Sequence, residues 1–294
     1  MNVGSAAAAH SGLQRRAKRE QVMKNHIVTG GGGIRLHLVE TGNPSGPPIV
    51  FIHGFSQCWL AWTRQMTSDL ANTCRILALD LRGHGLSDKP IEGYTDSKLW
   101  ADDVHAIIEV LELDHPILCG WSYGPLVILD YIRHYGERAI RGVNFVGGVT
   151  KLGSDAATSV LTDEFLSQIP AFFSTDAQES VHALDSLVRM FFAHEVSAAD
   201  HYLMLGYSAW VPPYVRRALF SRSFDNDDLL PKLRKPVLIT HGVHDAIVKP
   251  TVIEQQMACI THARVQMIAN AGHACFWDEA AAYNHCLQEF IDTL

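Results

Sequence analysis

The chain contains no Cys-x-x-Cys pair and no compact cysteine spacing; its six cysteines, Cys58, Cys74, Cys119, Cys259, Cys275 and Cys286, are scattered along 294 residues. A small secreted fold stapled by disulfides is therefore excluded, and reduced thiols are expected. Basic residues are not in excess either. With 24 Lys and Arg against 31 Asp and Glu, for a net charge of −7, the surface has little with which to neutralise a phosphate backbone, so nucleic acid is not an expected partner. No uninterrupted apolar run reaches the roughly 20 residues that a membrane span needs, and no internal repeat is present. What remains is 47% hydrophobic and 19% charged, the composition of a globular protein with one large core and a neutral small molecule as its natural partner. Residues 1–25 read as a disordered leader. Their alanine run at 6–9 precedes the basic cluster Arg15, Arg16, Lys18 and Arg19, the wrong order for a secretory signal, and the expected compartment is cytoplasmic.

From residue 26 onward, short apolar runs alternate with helical patterns. Two β-type runs at 26–29 and 34–39 flank the four glycines Gly30 to Gly33, which supply the positive φ angles of a hairpin turn. Further runs bounded by turn residues lie at 49–54, 75–80, 116–120, 142–147, 236–242 and 265–269. Runs of this kind are expected of strands buried on both faces. Helical periodicity at 94–113 and 124–135 separates several of them, and a last helix is expected from 279 to 294. Such alternation predicts an α/β fold with a mostly parallel central sheet flanked by helices. Between 150 and 232 the strand signal stops while bulky apolar residues continue, among them Phe165, Phe172, Phe173, Leu187, Phe191 and Trp210. This stretch reads as a helical cap inserted between two halves of the core, 26–149 and 233–294.

Chemistry is concentrated at strand ends. Gly120-Trp121-Ser122-Tyr123-Gly124 joins a strand to a helix, the context in which Gly-x-Ser-x-Gly holds a serine on a strained turn with its hydroxyl above the sheet. Pro125 falls in the first helical turn, where a missing N–H removes no intrahelical bond. Such a serine needs a base, and the base needs an orienting group. Asp245 and His273 each follow a later strand, giving the chain order serine, aspartate, histidine. The expected roles are nucleophile for Ser122, general base for His273 and orienting acid for Asp245. An oxyanion hole would need the backbone N–H of Tyr123 and one from the loop after an earlier strand, for which Phe55 in His53-Gly54-Phe55 is the candidate. Trp121, Trp59, Phe172 and Trp210 are candidate substrate contacts, because ligand pockets are mostly apolar. The cluster His241, His244 and Asp245 lacks the i, i+4 helical spacing of zinc hydrolases, so no metal is expected. His53 and His84 read as hydrogen-bonded structural histidines, and Asp80 and Arg82 as a buried charge pair or backbone tie.

Taken together, His53-Gly-Phe, Asp80-Leu-Arg-Gly-His-Gly-Leu-Ser, Gly120-Trp-Ser-Tyr-Gly, Gly242-x-x-Asp245 and Gly272-His273 resemble the α/β-hydrolase superfamily, in particular its small bacterial esterases and cofactor-free haloperoxidase-like members. The resemblance runs from about residue 26 to 294 and implies an α/β-hydrolase fold, ester cleavage through an acyl-enzyme and no cofactor. It also leaves two other readings open. One is perhydrolase or haloperoxidase activity, with peroxide in place of water. The other is a ligand-sensing receptor of the same fold with slow single turnover. Haloalkane dehalogenases and epoxide hydrolases of the superfamily place an aspartate where this chain has Ser122, which disfavours both.

Overall fold

The computed structural model describes residues 22–294. The expected leader at 1–25 lies outside the described residues up to residue 21, and its last two residues belong to a strand instead, since β1 spans Lys24–Thr29. It pairs with β2 (Arg35–Gly42) in an antiparallel hairpin whose bend is a tight turn at Gly31–Gly33. The strands that follow are β3 (Pro48–Ile52), β4 (Arg75–Leu79), β5 (Ile117–Trp121), β6 (Gly142–Val146), β7 (Val237–Gly242) and β8 (Arg264–Ile268).

These strands form one sheet in the order β1-β2-β4-β3-β5-β6-β7-β8. Only the pairings made by β2 are antiparallel; from β4 through β8 the sheet is parallel. Strands β3, β5 and β6 are buried at every residue, because parallel strands are covered by their crossover helices. The chain leaves β3 toward β4 on one side and later returns to β5 on the other. This topological switch places the carboxyl ends of β3 and β5 beside one crevice, where ligands bind in open α/β sheets.

Helix boundaries follow local chemistry. The helix Ser97–Val110 starts where the Asp96 side chain accepts the Lys98 N–H, and buries Trp100, Val104, Ile107 and Ile108 at helical spacing. The helix Gly124–Tyr135 carries Pro125 in its first turn and stops at Gly136, whose φ of 73° suits the left-handed end of a helix. Between β6 and β7 come the helices Asp155–Ser159, Asp163–Phe172, Ala177–Met190, Ala198–Ala209 and Pro213–Phe220. Ser154, Thr162, Asp176 and Ser197 cap the first four through their side chains. The two chain crossings at the base of this segment are joined by reciprocal backbone bonds between Leu152 and Phe224, both 3.0 Å.

Asp80 and Arg82 do not pair with each other. Arg82 makes two bonds to Asp103 on the helix Ser97–Val110, at 2.7 and 2.8 Å, and donates to the carbonyls of Gly31, Gly93 and Leu99. Asp80 accepts from the Trp59 and Leu86 amides and bonds His37. Each charge is thus fixed by a different segment, and Arg82 ties the hairpin turn to the first long helix. Replacing Asp103 by leucine should cost about 3–5 kcal/mol in urea unfolding, because a buried guanidinium loses its counter-charge. The double variant Asp103→Leu/Arg82→Met should recover most of that loss, whereas a single-variant cost under about 1 kcal/mol would mean the carbonyl bonds suffice.

Candidate active site

Ser122 sits between β5 and the helix Gly124–Tyr135 with φ at 58°, the left-handed region that costs a non-glycine residue about 1–3 kcal/mol. Its neighbours hold it there: its N–H donates to the Val146 carbonyl at 2.9 Å, and its carbonyl accepts from Val149 at 3.1 Å. The motif glycines are required by space. A Cβ at Gly120 would lie 2.6 Å from Gly124 and Pro125 backbone atoms, and one at Gly124 would lie 2.7 Å from the Ile52 carbonyl oxygen.

His273, on the loop after β8, bonds Asp245 through Nδ1 to Oδ2 at 2.8 Å. The other carboxylate oxygen accepts from the Ile247 and Val248 amides, both at 2.8 Å. Burial pushes the Asp245 carboxyl up, but the attraction and hydrogen bond of His273, the attraction of His241 and the Val248 amide outweigh it, leaving it below its ordinary 3.8. An ionised Asp245 accepts a hydrogen bond from the Nδ1–H of His273, which keeps the proton on Nδ1 and leaves Nε2 bare, the tautomer a general base needs. The His273 loop is fixed from three sides. The Trp121 indole donates to its carbonyl at 3.0 Å, Asp278 accepts from Gly272 at 2.8 Å, and Ala274 donates to the Phe191 carbonyl at 2.7 Å.

The third component lies after β3. A Cβ at Gly54 would be 2.9 Å from the Ser122 Cβ, so only glycine lets this loop pass over the serine. Among the described residues, neither the Phe55 nor the Tyr123 amide donates to a protein acceptor. The peptide carrying the Phe55 N–H is oriented by His53, whose Nδ1 lies 2.8 Å from the Gly54 carbonyl while Nε2 accepts from Leu81 at 3.1 Å. A trans peptide points its carbonyl and N–H in opposite directions, so holding one aims the other.

Gly54, Phe55, Trp121, Ser122 and His273 share one cavity with Phe165, Leu187, Phe191 and Ile247. Its volume is about 20 Å³, room for about one water. Trp121 is the one expected substrate contact that lines it. Phe172 stands a layer behind, fully buried against Phe55 and Phe165 at ring distances of 5.7 and 5.8 Å. Trp59 lies away from the cavity, at the 3-10 turn Trp59–Trp62 where its amide bonds Asp80. Trp210 is 58% exposed with the Lys89 ammonium over its ring, because it follows a helix whose buried face is carried by His201, Met204, Tyr207 and Ser208. Ile247 was not singled out in the sequence, and His241 was weighed there only as part of a possible metal cluster. Ile247 belongs to the Asp245 loop, and His241, near the end of β7, holds that loop: its Nε2 lies 3.0 Å from the Val248 carbonyl and 3.3 Å from Asp245 Oδ2. The adjacency of both residues to the expected acid was the available signal.

Burial drives the His53 imidazole from its ordinary 6.5 down to about 4, against the pull of Asp80. The unfolded chain takes up this proton near the ordinary value and the native chain only near the lower one, so stability declines as pH falls through that window. Burial also pushes His84 and His241 down, and they add to the same slope. Urea unfolding at about pH 7 and about pH 4.5 should therefore show a smaller acid loss in His53→Gln than in the unaltered protein, by about one proton's worth of slope. Identical losses would show that His53 takes up its proton equally in both states.

Known proteins share this fold. A family model described as the alpha/beta hydrolase family matches residues 49–285. The esterase RhEst1 from Rhodococcus sp. ECU1013 superposes with a TM-score of 0.88 at 33% identity, covering 92% of this chain and 99% of that one. A bromoperoxidase from Bacillus anthracis gives 0.82 at 26% identity, covering 92% and 100%. Epoxide hydrolase 1 from Caenorhabditis elegans is 25% identical over 281 residues, which is 88% of this chain and 68% of the relative. These names span several chemistries on one scaffold. With strand order, loop placement and a match over most of its length in agreement, the chain belongs to the alpha/beta hydrolase family.

Proposed function

We propose that this protein is a serine esterase that cleaves small carboxylic esters through an acyl-enzyme. The observation that carries this reading is the shared cavity: a strained serine, a histidine paired with a buried carboxylate, and Phe55, whose amide has no protein acceptor among the described residues, all border it. In the proposed reaction, Ser122 Oγ attacks the ester carbonyl while His273 Nε2 takes its proton. The Phe55 and Tyr123 amides receive the oxyanion, and His273 returns the proton to the departing alcohol. A water then repeats these steps on the acyl-serine, releasing the acid. Asp245 holds the tautomer throughout. These steps require no cofactor, and the work they describe suits a cytoplasmic enzyme acting on a dissolved small molecule.

Peroxide in place of water at the second step would give the perhydrolase reaction, a reading favoured by the likeness to the bromoperoxidase. Both reactions need the same acyl-serine. A receptor with slow single turnover would also form it, but would not release product repeatedly. In an aryl acetate assay, Ser122→Ala should abolish sustained turnover with the melting temperature preserved, since the change removes one oxygen from a cavity wall. Asp245→Asn should lower kcat by up to about 10⁴-fold. Retained turnover in Ser122→Ala, or product release that stops after one equivalent in the unaltered protein, would contradict the esterase reading.

The inserted helices are proposed to act as a cap that selects the acyl group, since Phe165, Leu187 and Phe191 supply its side of the cavity. A space for about one water accepts only the smallest groups without side-chain movement. Leu187→Ala should raise kcat/KM for butyrate relative to acetate esters by roughly 10-fold or more, in the range of one methylene in an apolar pocket. An equal change on both esters, tracking a lower melting temperature, would assign Leu187 to packing of the helices alone.

A further inference from the structure

The loop carrying the Phe55 amide is a strained turn whose support comes from the inserted helices. Gln57 N–H reaches the Gly54 carbonyl at 3.4 Å, closing a turn whose third residue, Ser56, has a φ of 59°. Turns with positive φ at that position favour glycine or asparagine. Ser56 is neither, and it is fully buried. A serine held in this conformation persists only where its surroundings over-determine it.

Those surroundings converge on one residue of another segment. Ser56 Oγ donates to the Ser208 carbonyl at 3.0 Å, and Gln57 Nε2 donates to Ser208 Oγ at 3.0 Å and to the Ser56 carbonyl at 3.2 Å. Ser208 lies in the last turn of the helix Ala198–Ala209, where the dipole is negative and its carbonyl, which has no i+4 helical donor, also accepts from the Val211 amide at 3.3 Å. Arg216 approaches the same carbonyl through Nη1 at 3.4 Å and donates through Nη2 to Ser180 Oγ at 2.9 Å. It is 2% exposed, and among the described residues no carboxylate pairs with it. A buried guanidinium without an acid is costly to keep, and here its partners are a helix end and a hydroxyl. Ser180 belongs to the helix Ala177–Met190, which also supplies Leu187 to the cavity. Two inserted helices thus meet at the carbonyl that holds Ser56, and Arg216 links a third to it through Ser180.

We propose that Ser208 and Arg216 are positioning residues for the oxyanion hole, holding the Gly54–Ser56 turn so that the Phe55 amide faces the reacting carbonyl. The inserted helices then complete the hole as well as roof the cavity. The inference rests on the esterase reading for its catalytic consequence, but its structural part does not need activity. It also explains why a residue unsuited to the turn is tolerated at position 56: the hydroxyl that makes Ser56 a ligand of Ser208 is what glycine would lack.

The test uses the full-length protein with Arg216→Met, Arg216→Lys and Ser56→Ala, each normalised to active sites titrated with a fluorophosphonate. Expected for Arg216→Met and Ser56→Ala is a loss in kcat of at least tenfold on an aryl acetate with KM changed less than threefold. Arg216→Lys should recover part of it. Binding of an aryl trifluoromethyl ketone, whose serine adduct carries an oxyanion, should weaken by the same factor, while the unreactive methyl ketone binds equally well. A merely structural role would lower the melting temperature or the titrated fraction but leave kcat per active site and the ketone ratio unchanged, and would overturn the proposal. Amide exchange separates this from failure of the esterase reading. Faster exchange at Gln57, whose N–H closes the turn, in Arg216→Met supports the clamp even if the unaltered protein hydrolyses no ester; unchanged exchange there refutes it.

Discussion

The left-handed backbone at Ser122 is the constraint around which the rest of this structure is arranged. It forces a turn so tight that Gly120 and Gly124 can carry no side chain, and it brings the next loop so close that Gly54 cannot either. Strain of that size is a noticeable share of a domain's net stability, commonly about 5–15 kcal/mol. It persists because β5 lies between the buried parallel strands β3 and β6, where its flanking backbone is fixed by Val146 and Val149. The same topology puts the Asp245 and His273 loops at the carboxyl ends of neighbouring strands, so the strained serine and His273 border one cavity.

Around that turn, charge is allotted by burial and by hydrogen bonds. Asp245 stays ionised because two amides and two imidazoles surround it. His53, His84 and His241 are driven neutral by desolvation. A neutral His53 can donate from one nitrogen and accept on the other, as its bonds to Gly54 and Leu81 require. Protonation would place a donor against the Leu81 amide. The low affinity of His53 for a proton therefore belongs to the geometry that aims the Phe55 N–H.

The parallel strands were readable because buried strands are short apolar runs, and the helix Gly124–Tyr135 was readable from its periodicity, with Pro125 falling in its first turn. The candidate acid and base were readable as polar residues at the ends of such strands. Side-chain direction within the inserted segment was not. Trp210 has the size and apolarity of a pocket residue, yet its position after a helix whose opposite face is buried sends it to the surface. Leu187 and Phe165 look no different from their neighbours in sequence, and only the docking of the helices brings them over Ser122. The pairing of Arg82 with Asp103, like the clamp at Ser208, joins residues from separate segments and leaves no periodic trace along the chain.

The central claim is that Ser122 carries the acyl group between two half-reactions, and rapid acid quenching of the protein during turnover of an aryl ester tests it most directly. Peptide mass spectrometry of the quenched protein should find the acyl mass on the peptide containing Ser122, at a level that falls when a strong nucleophile such as hydroxylamine is added. Continued product formation with no acyl mass on that peptide at any time would contradict the account.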